Sequence, residues 1–147
     1  MISGSDQAVL RRTNDFHEMR RLALESGLED GNFDNFVVAY GFYVGPELVG
    51  CAGLRFKDGI HTVECLAVAG GFRNRGLGRR LVEAIESEAK TRNIRELWAV
   101  ARAPGFFVSV GYSISKGETE RGPKLDSCRK CRQFGVSCNP AIVVKTL

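Results

Sequence analysis

Within the first quarter of the chain, the spacing of apolar residues changes from that of a strand to that of a helix, which predicts a strand followed by a helix. Residues 8–11 read as the first strand. Apolar residues then recur three or four positions apart, as in an amphipathic helix. Thr13 or Asp15 can cap this helix, because either side chain accepts hydrogen bonds from free backbone N–H groups. Residues 28–35 predict a loop or a short second helix. The apolar stripe of the first helix is Phe16, Met19, Leu22 and Ala23.

Three apolar, β-branched segments follow, with turn residues between them. Residues 36–44 and 48–56 predict two strands joined at Gly45-Pro46. Residues 60–68 predict a third strand after the Asp58-Gly59 turn. Because Asp-Gly between apolar strands is a strong hairpin signal, we expect the three strands to be antiparallel neighbours.

Helical spacing returns in the second half of the chain. A helix is predicted from about Gly78 to Arg92, and its polar face carries Glu86 and Lys90 four residues apart, the spacing of an ion pair. Its apolar stripe is Leu77, Leu81, Val82, Ile85 and Ala89. The remaining predicted elements are a strand at 96–101, a short helix at 103–110 stopped by Gly111, and strands at 112–115 and 141–144.

The composition is that of one globular domain. The chain has 147 residues, 44% of them hydrophobic and 26% charged, so residues 1–147 can form a single domain with a sizeable core. The net charge of +4 is modest, and the basic residues cluster at 73–80 and near the end, which favours a small polyanion over nucleic acid as partner. The longest apolar run, 36–44, is too short for a membrane span, and no signal peptide is evident, which predicts a cytoplasmic protein.

An arginine-rich and glycine-rich turn joins the third of these strands to the long helix. Its sequence, from Arg73 to Gly78, is Arg-Asn-Arg-Gly-Leu-Gly, and Arg79 and Arg80 follow. Backbone N–H groups at a helix N-terminus attract anions, and glycines let a pyrophosphate approach the backbone. The Gly-Lys-Ser/Thr of a Walker A loop is absent, and Leu81 stands where a dinucleotide fingerprint has its third glycine.

This strand, turn and helix resemble motif A of the GNAT acetyltransferases, with Arg73, Gly76 and Gly78 at the matching positions. The predicted order of elements resembles the same family over residues 8–144. The resemblance implies an α/β (α+β) fold with a mixed, mostly antiparallel sheet flanked by helices, and acetyl-CoA as co-substrate. The implied cofactor-binding residues are Leu66, Ala67 and Val68, whose backbone polarises the thioester, and Arg73, Asn74, Arg75, Gly76, Leu77, Gly78 and Arg79, which bind the pyrophosphate.

Residues 103–112 resemble the closing helix of the family, with one departure. Many members carry a tyrosine as general acid where this chain has Phe107, and a phenyl ring has no proton to donate. The leaving thiolate would then be protonated by water, by Ser109 or by another residue, or would leave without assistance.

The family's reaction needs a base near the amine, because an amine is mostly protonated at neutral pH. Glu64 is the candidate catalytic residue, since it lies two residues before the thioester-binding segment and shares a strand face with Thr62. The alternative is a carboxylate that only pairs with an arginine. His61 and His17 are weaker candidates, because an isolated histidine at such positions is usually a surface residue.

The C-terminal tail resembles the ending of small single-domain N-acetylglutamate synthase-like GNAT proteins, over residues 123–131 and 138–144. This resemblance implies the α-amino group of glutamate as acceptor and a place in amino-acid biosynthesis. Arg55, Arg102 and Lys124 would then supply charge for the carboxylates, although each of them can also be a solvated surface cation. A homodimer is compatible with the sequence.

Three cysteines in the tail form a C-x2-C-x6-C pattern: Cys128, Cys131 and Cys138. In an intracellular chain such spacing favours metal or redox chemistry over a structural disulfide. A closed zinc site needs four ligands, so a fourth from elsewhere would have to complete it. Zinc ligands and reduced free thiols both remain open interpretations.

Three functions are compatible with these patterns. The first is an N-acetyltransferase acting on a free amino acid such as glutamate. The second is a GNAT enzyme with another amine or a protein as acceptor. The third is a CoA-binding regulatory module without catalysis, which the phenylalanine at position 107 motivates.

Overall fold

A single mixed sheet with helices on both faces organises the chain. The computed structural model describes residues 8–28, 33–115, 118–119, 121–125, 135 and 140–147. In this part of the chain seven strands form one sheet, in the spatial order β1-β2-β3-β4-β5-β7-β6. The strands are β1 (Val9–Arg12), β2 (Phe36–Val44), β3 (Glu47–Lys57), β4 (Ile60–Val68), β5 (Glu96–Ala101), β6 (Ser113–Ile114) and β7 (Ala141–Thr146).

Three α-helices occur in the described ranges: α1 (Phe16–Glu25), α2 (Leu77–Thr91) and α3 (Pro104–Ser109). Asp15 caps α1, because its side chain accepts a hydrogen bond from the backbone N–H of Glu18 at 3.2 Å. The longest of these helices, α2, has 15 residues. None of the helices formed by described residues is long and apolar enough to cross a membrane.

The two faces of the sheet carry separate hydrophobic clusters. On β2, Val38 and Phe42 point to the cluster of α2, whereas Ala39 and Tyr43 point to the cluster of α1. This alternation follows from the two-residue period of a strand. Burying one large apolar side chain stabilises the fold by roughly 1.5–3 kcal/mol. The fully buried anchors are Leu81, Val82 and Ile85 from α2 and Met19 and Leu22 from α1.

The sheet opens between β4 and β5. These two strands are parallel, and their register contains one pair, Thr62 with Trp98. Beyond that pair β4 is held by β3, and β5 is held by β7 along its whole length. The strands therefore separate toward their C-terminal ends, and we call the resulting gap the splay.

The predicted order of elements is confirmed, with shifts of one or two residues at their ends. β1 covers Val9–Arg12 rather than 8–11, and α2 begins at Leu77 rather than at Gly78. The structure adds a 3₁₀ helix at Gly70–Phe72, which the sequence did not predict. Residues 29–32 of the predicted loop or second helix lie outside the described residues.

The prediction for Glu86 was wrong. Glu86 is buried rather than on the polar face of α2, and its two carboxylate oxygens each accept a hydrogen bond from Lys145 Nζ at 3.2 Å. Lys145 also donates to the carbonyl oxygen of Val110 at 3.1 Å. The partner therefore comes from β7 rather than from Lys90, because β7 brings its lysine under the helix from far along the chain.

We expect Lys145→Ala to lower the free energy of unfolding by about 1–3 kcal/mol, because it leaves the buried Glu86 carboxylate without its cation. Lys90→Ala is the matched control: this lysine is exposed on the same helix, and its loss should change stability by less than about 0.5 kcal/mol. Urea unfolding measures both variants. A loss for Lys145→Ala no larger than that of the control would contradict the buried pair.

Candidate active site

The N-terminus of α2 is open to a ligand. Its N-cap residue, Gly76, has φ of 78°, in the left-handed region that glycine adopts without strain. Because Gly76 has no side chain, it does not cap the first backbone N–H groups of the helix. A Cβ built on Gly76 would meet no atom within 4 Å, so there is space in front of these donors. This geometry suits an anion at a helix N-terminus.

The neighbours of Gly76 shape the turn and anchor it. Asn74 is exposed and also left-handed, with φ of 62°, a conformation that asparagine tolerates better than most residues. Leu77 is buried in the core, so only its backbone is available to a ligand. Gly78 faces the ring of Phe106 on α3, where an added Cβ would lie at 3.4 Å. The packing of Leu77 and Gly78 thus fixes the turn, while the space in front of Gly76 stays free.

Four exposed arginines lie in the turn or directly after it. Arg73 Nε donates to the carbonyl oxygen of Val68 at 3.1 Å, which links the turn to the end of β4. The other three have looser contacts: Arg75 lies 5.5 Å from the ring centre of Phe72, Arg80 lies 4.8 Å from that of Phe42, and Arg79 Nε lies 3.8 Å from a carboxylate oxygen of Glu83. Weakly held guanidinium groups can reorient toward a phosphate.

A bulge in β4 sets the direction of the thioester-binding segment predicted from the sequence. Cys65 has φ of 58°, and the register with β3 steps from Gly53–Glu64 to Cys51–Ala67, which leaves one extra residue on β4. After the bulge, Ala67 is buried, and Leu66 and Val68 are half-buried. Since these residues lie in the splay, their backbone groups on the β5 side have no partner in the sheet register.

Glu64 lies just before this bulge and is half-buried. Burial raises the pKa of its carboxyl group above the ordinary value of 4.5. Two neighbours oppose that rise: the hydroxyl of Thr62, which donates to the carboxylate at 2.9 Å, and the positive charge of Arg55. The result is a carboxylate with increased proton affinity at the edge of the splay.

The structure brings Arg55 to Glu64 but anchors Arg102 elsewhere. Arg55 lies opposite Thr62 on the neighbouring strand, and its Nε is buried without a hydrogen-bond partner among the described residues. Arg102 donates to the carbonyl oxygen of Gly27, just after α1. The charge of Arg55 therefore acts beside Glu64, whereas that of Arg102 is held near the end of α1.

These features, an open helix N-terminus and a splayed pair of parallel strands, occur together in a known family. Residues 7–112 match the family model described as Acetyltransferase (GNAT) family. The chain belongs to the GNAT family. An uncharacterized N-acetyltransferase from Chlorobaculum tepidum is 29% identical over 102 residues, which cover 69% of this chain and 65% of that protein. The match thus spans less than two thirds of the relative's length.

Solved GNAT structures have the same fold. N-acetylglutamate synthase from Neisseria gonorrhoeae, solved with coenzyme A and N-acetyl-glutamate, matches 95% of this chain and 35% of its own chain, with a TM-score of 0.72 and 22% identity. A GNAT acetyltransferase from Staphylococcus aureus Mu50 matches 95% of this chain and 99% of its own, with a TM-score of 0.73 and 16% identity. At these identities the likeness concerns the fold.

In this GNAT domain the position expected for a general acid is apolar. Phe107 is buried and packs edge-on against Tyr112, with ring centres 5.2 Å apart. Ser109, the other candidate, donates its hydroxyl hydrogen to the carbonyl oxygen of Phe106 at 2.5 Å. The hydroxyl of Tyr112 has no partner at hydrogen-bond geometry in the described part of the chain, and burial, followed by the nearby charge of Glu86, raises its pKa. None of these three side chains is a ready proton donor.

A pair of thiols beside Glu64 was not found from the sequence. Cys51 Sγ donates to the carbonyl oxygen of Cys65 at 3.3 Å. The neighbouring thiol of Cys65, followed by burial, raises the pKa of Cys51, and the thiol of Cys51 in turn lowers the pKa of Cys65. The left-handed conformation of Cys65 has no sequence signal, because cysteine is not enriched there as asparagine and aspartate are.

The predicted zinc ligands Cys128, Cys131 and Cys138 lie outside the described residues. In the parts of the chain that the structure does describe, no group of three histidine, cysteine, aspartate or glutamate side chains is arranged to hold a metal ion. No described residue therefore supports a zinc site.

We expect Glu64→Gln to stabilise the folded protein at neutral pH. A raised pKa in the folded state favours folding at low pH, and this contribution is lost as pH rises from about 4.5 through the folded-state pKa. The stability gain of the variant should therefore be absent at acidic pH and appear above that range. Glu88→Gln is the control of opposite sign, because Arg92 lowers the pKa of Glu88, and its ionised form is stabilising.

Thermal unfolding across the pH range compares the two variants with the parent. If Glu64→Gln destabilised the protein at neutral pH as Glu88→Gln does, the carboxylate of Glu64 would belong to a stabilising ion pair, and the assignment of a raised pKa would be wrong.

Proposed function

We propose that this chain is an N-acetyltransferase that transfers the acetyl group of acetyl-CoA to a primary amine. The observation that carries the proposal is the position of Glu64: a half-buried carboxylate with a raised pKa stands at the edge of the splay, immediately before the bulge in β4. A group with increased proton affinity in a cleft is the type of residue that acts as a general base.

The residues around the splay fit acetyl-CoA. The free N–H groups after Gly76 and the side chains of Arg73, Arg75 and Arg79 would hold the pyrophosphate. The backbone of residues 66–68, which faces the gap beside β5, would hold the pantetheine arm and the thioester carbonyl. When bound, acetyl-CoA supplies an activated acyl group. The synthase from Neisseria gonorrhoeae, solved with coenzyme A, supports this assignment.

The chain's own groups then have two roles. Glu64 accepts a proton from the acceptor ammonium, directly or through one water, which leaves a neutral nucleophilic amine. Backbone N–H groups in residues 66–68 donate hydrogen bonds to the oxyanion that develops on the carbonyl. Because these donors are fixed by the bulge, little reorganisation is needed during the reaction.

The acceptor we propose is a free amino acid such as glutamate. An α-amino acid carries a carboxylate next to its amine, and the positive charge of Arg55 stands next to Glu64. Glu64 would then bind the amine, and Arg55 would bind the carboxylate beside it. Arg102 is the proposed partner of a second carboxylate. The Neisseria gonorrhoeae synthase, solved with N-acetyl-glutamate, supports this choice.

A second candidate function is a CoA-binding module without catalysis. The observation that favours it is Phe107, which is buried against aromatic rings and has no proton for a leaving thiolate. The same pyrophosphate site would serve both functions, so only turnover separates them.

We expect Gly76→Glu to weaken CoA binding at least about a hundredfold, because it places a side chain and a negative charge where the pyrophosphate would lie. Arg73→Ala should weaken it about tenfold through the loss of one charge-assisted contact. Isothermal titration with CoA measures both, and Lys90→Ala on the exposed face of α2 is the control. Unchanged affinity in both folded variants would contradict the pyrophosphate assignment.

Glu64→Gln should lower turnover by about two to four orders of magnitude and leave the affinity for acetyl-CoA nearly unchanged. The glutamine keeps the shape of the side chain but cannot accept the ammonium proton at neutral pH. Glu47→Gln, an exposed carboxylate at the β2–β3 turn, is the control and should behave as the parent does. Turnover of Glu64→Gln within a few-fold of the parent would restrict Glu64 to its contacts with Thr62 and Arg55.

The proposed acceptor is tested by CoA release with glutamate, other amino acids, polyamines and peptides side by side. We expect glutamate or another α-amino acid to react fastest, and Arg55→Gln to raise the KM for that acceptor about tenfold. A polyamine or peptide as the best acceptor would contradict the amino-acid assignment. Release at the rate of hydrolysis with every acceptor, in protein that binds CoA, would favour the non-catalytic module.

A further inference from the structure

A second concavity lies where β4 and β5 begin, on the opposite side of the Thr62–Trp98 pair from the splay. It has a volume of about 780 Å³, within the usual range of small-molecule sites. The β3–β4 turn and the start of β4 form one side, and the α2–β5 loop with the start of β5 forms the other. No residue assigned above to acetyl-CoA or to the acceptor lines it.

The inner wall of this pocket is apolar and aromatic. Trp98, Ile60 and Ile94 line it, and at the β3–β4 turn the rings of Phe56 and His61 lie 4.5 Å apart. Burial, followed by the charge of Arg92, lowers the pKa of His61, so the imidazole is neutral at neutral pH. Such a wall can contact the flat or apolar part of a ligand, and it carries no charge of its own.

The rim of the pocket is cationic. Among the described lining residues three arginines stand against one glutamate, a net charge of +2. Two of the arginines are held in place: Arg92 by Glu88 at 2.6 Å, and Arg121 by Glu96 at 3.0 Å.

Arg121 also lies 5.9 Å from the ring centre of Trp98, which keeps its charge over the aromatic wall. Arg95 is exposed at the same rim and makes no ion pair with any residue in the described part of the chain. The guanidinium of Arg95 is therefore not neutralised by an ion pair with a described residue, whereas Arg92 and Arg121 are oriented by their carboxylate partners.

We propose that this pocket is a second ligand site, which binds a small organic oxyanion with an aromatic or apolar body. The apolar wall would cover the body, and Arg95 would bind the carboxylate or phosphate with its parallel N–H donors. The neighbouring arginines would stay with their own carboxylate partners. The site is separate from the reaction and does not depend on the proposed acceptor.

Trp98 makes the proposal directly testable, because it is the only tryptophan of the chain and it lines the pocket. Its selectively excited fluorescence would be followed during titration with phenylacetate and with phenyl phosphate. Phenylacetamide and acetate are the matched controls that lack the charge and the aromatic body, respectively. We expect a saturable change with at least one of the two aromatic anions and none with the controls at the same concentrations.

The site is then assigned with one variant and one competition. Arg95→Ala should weaken binding of the aromatic anion about tenfold, whereas Lys90→Ala should leave it unchanged. Saturating CoA together with glutamate should not displace the anion. The proposal would be overturned by a response that never saturates, by equal binding of phenylacetamide, by unchanged affinity in Arg95→Ala, or by displacement with CoA or glutamate.

Discussion

The point where β4 and β5 stop pairing is the constraint on which the rest of the structure depends. Thr62 and Trp98 form their one register pair, and each strand then relies on its outer neighbour. Opening a sheet normally leaves unpaired backbone groups, which is unfavourable unless something else satisfies them. In this chain the opening faces the bulge and the free end of α2. In the proposed function the unpaired groups of β4 would serve the thioester, and the free N-terminus of α2 would serve the pyrophosphate.

The chemistry proposed for Glu64 rests on a balance between burial and compensation. Burial increases the proton affinity of the carboxyl group, while the Thr62 hydroxyl and the Arg55 charge limit the effect. Without those neighbours the carboxyl group would tend to stay protonated and could not accept a proton, and with full exposure it would be too weak a base. A side chain in this intermediate state costs folding free energy, as is common where activity and stability compete.

Local patterns were sufficient to predict the elements and the turn, because the apolar stripe of α2 and the glycines at its start are determined within a few residues. Relations across the fold were not accessible in this way. The partner of Glu86 comes from β7, and the left-handed Cys65 lacks a residue type that would indicate it. The cationic pocket combines residues of five strands and of the loops between them.

The contact between Arg73 and Val68 has a consequence for the thermodynamics of ligand binding. In the ligand-free chain the guanidinium already donates Nε to a main-chain carbonyl, which restricts a side chain that would otherwise sample many rotamers. Less conformational entropy is then lost when an anion arrives. Arginine has four further N–H donors after this contact, so the same group can hold the strand and receive a phosphate. For the proposed pyrophosphate, part of the entropy cost of ordering Arg73 would thereby be met during folding.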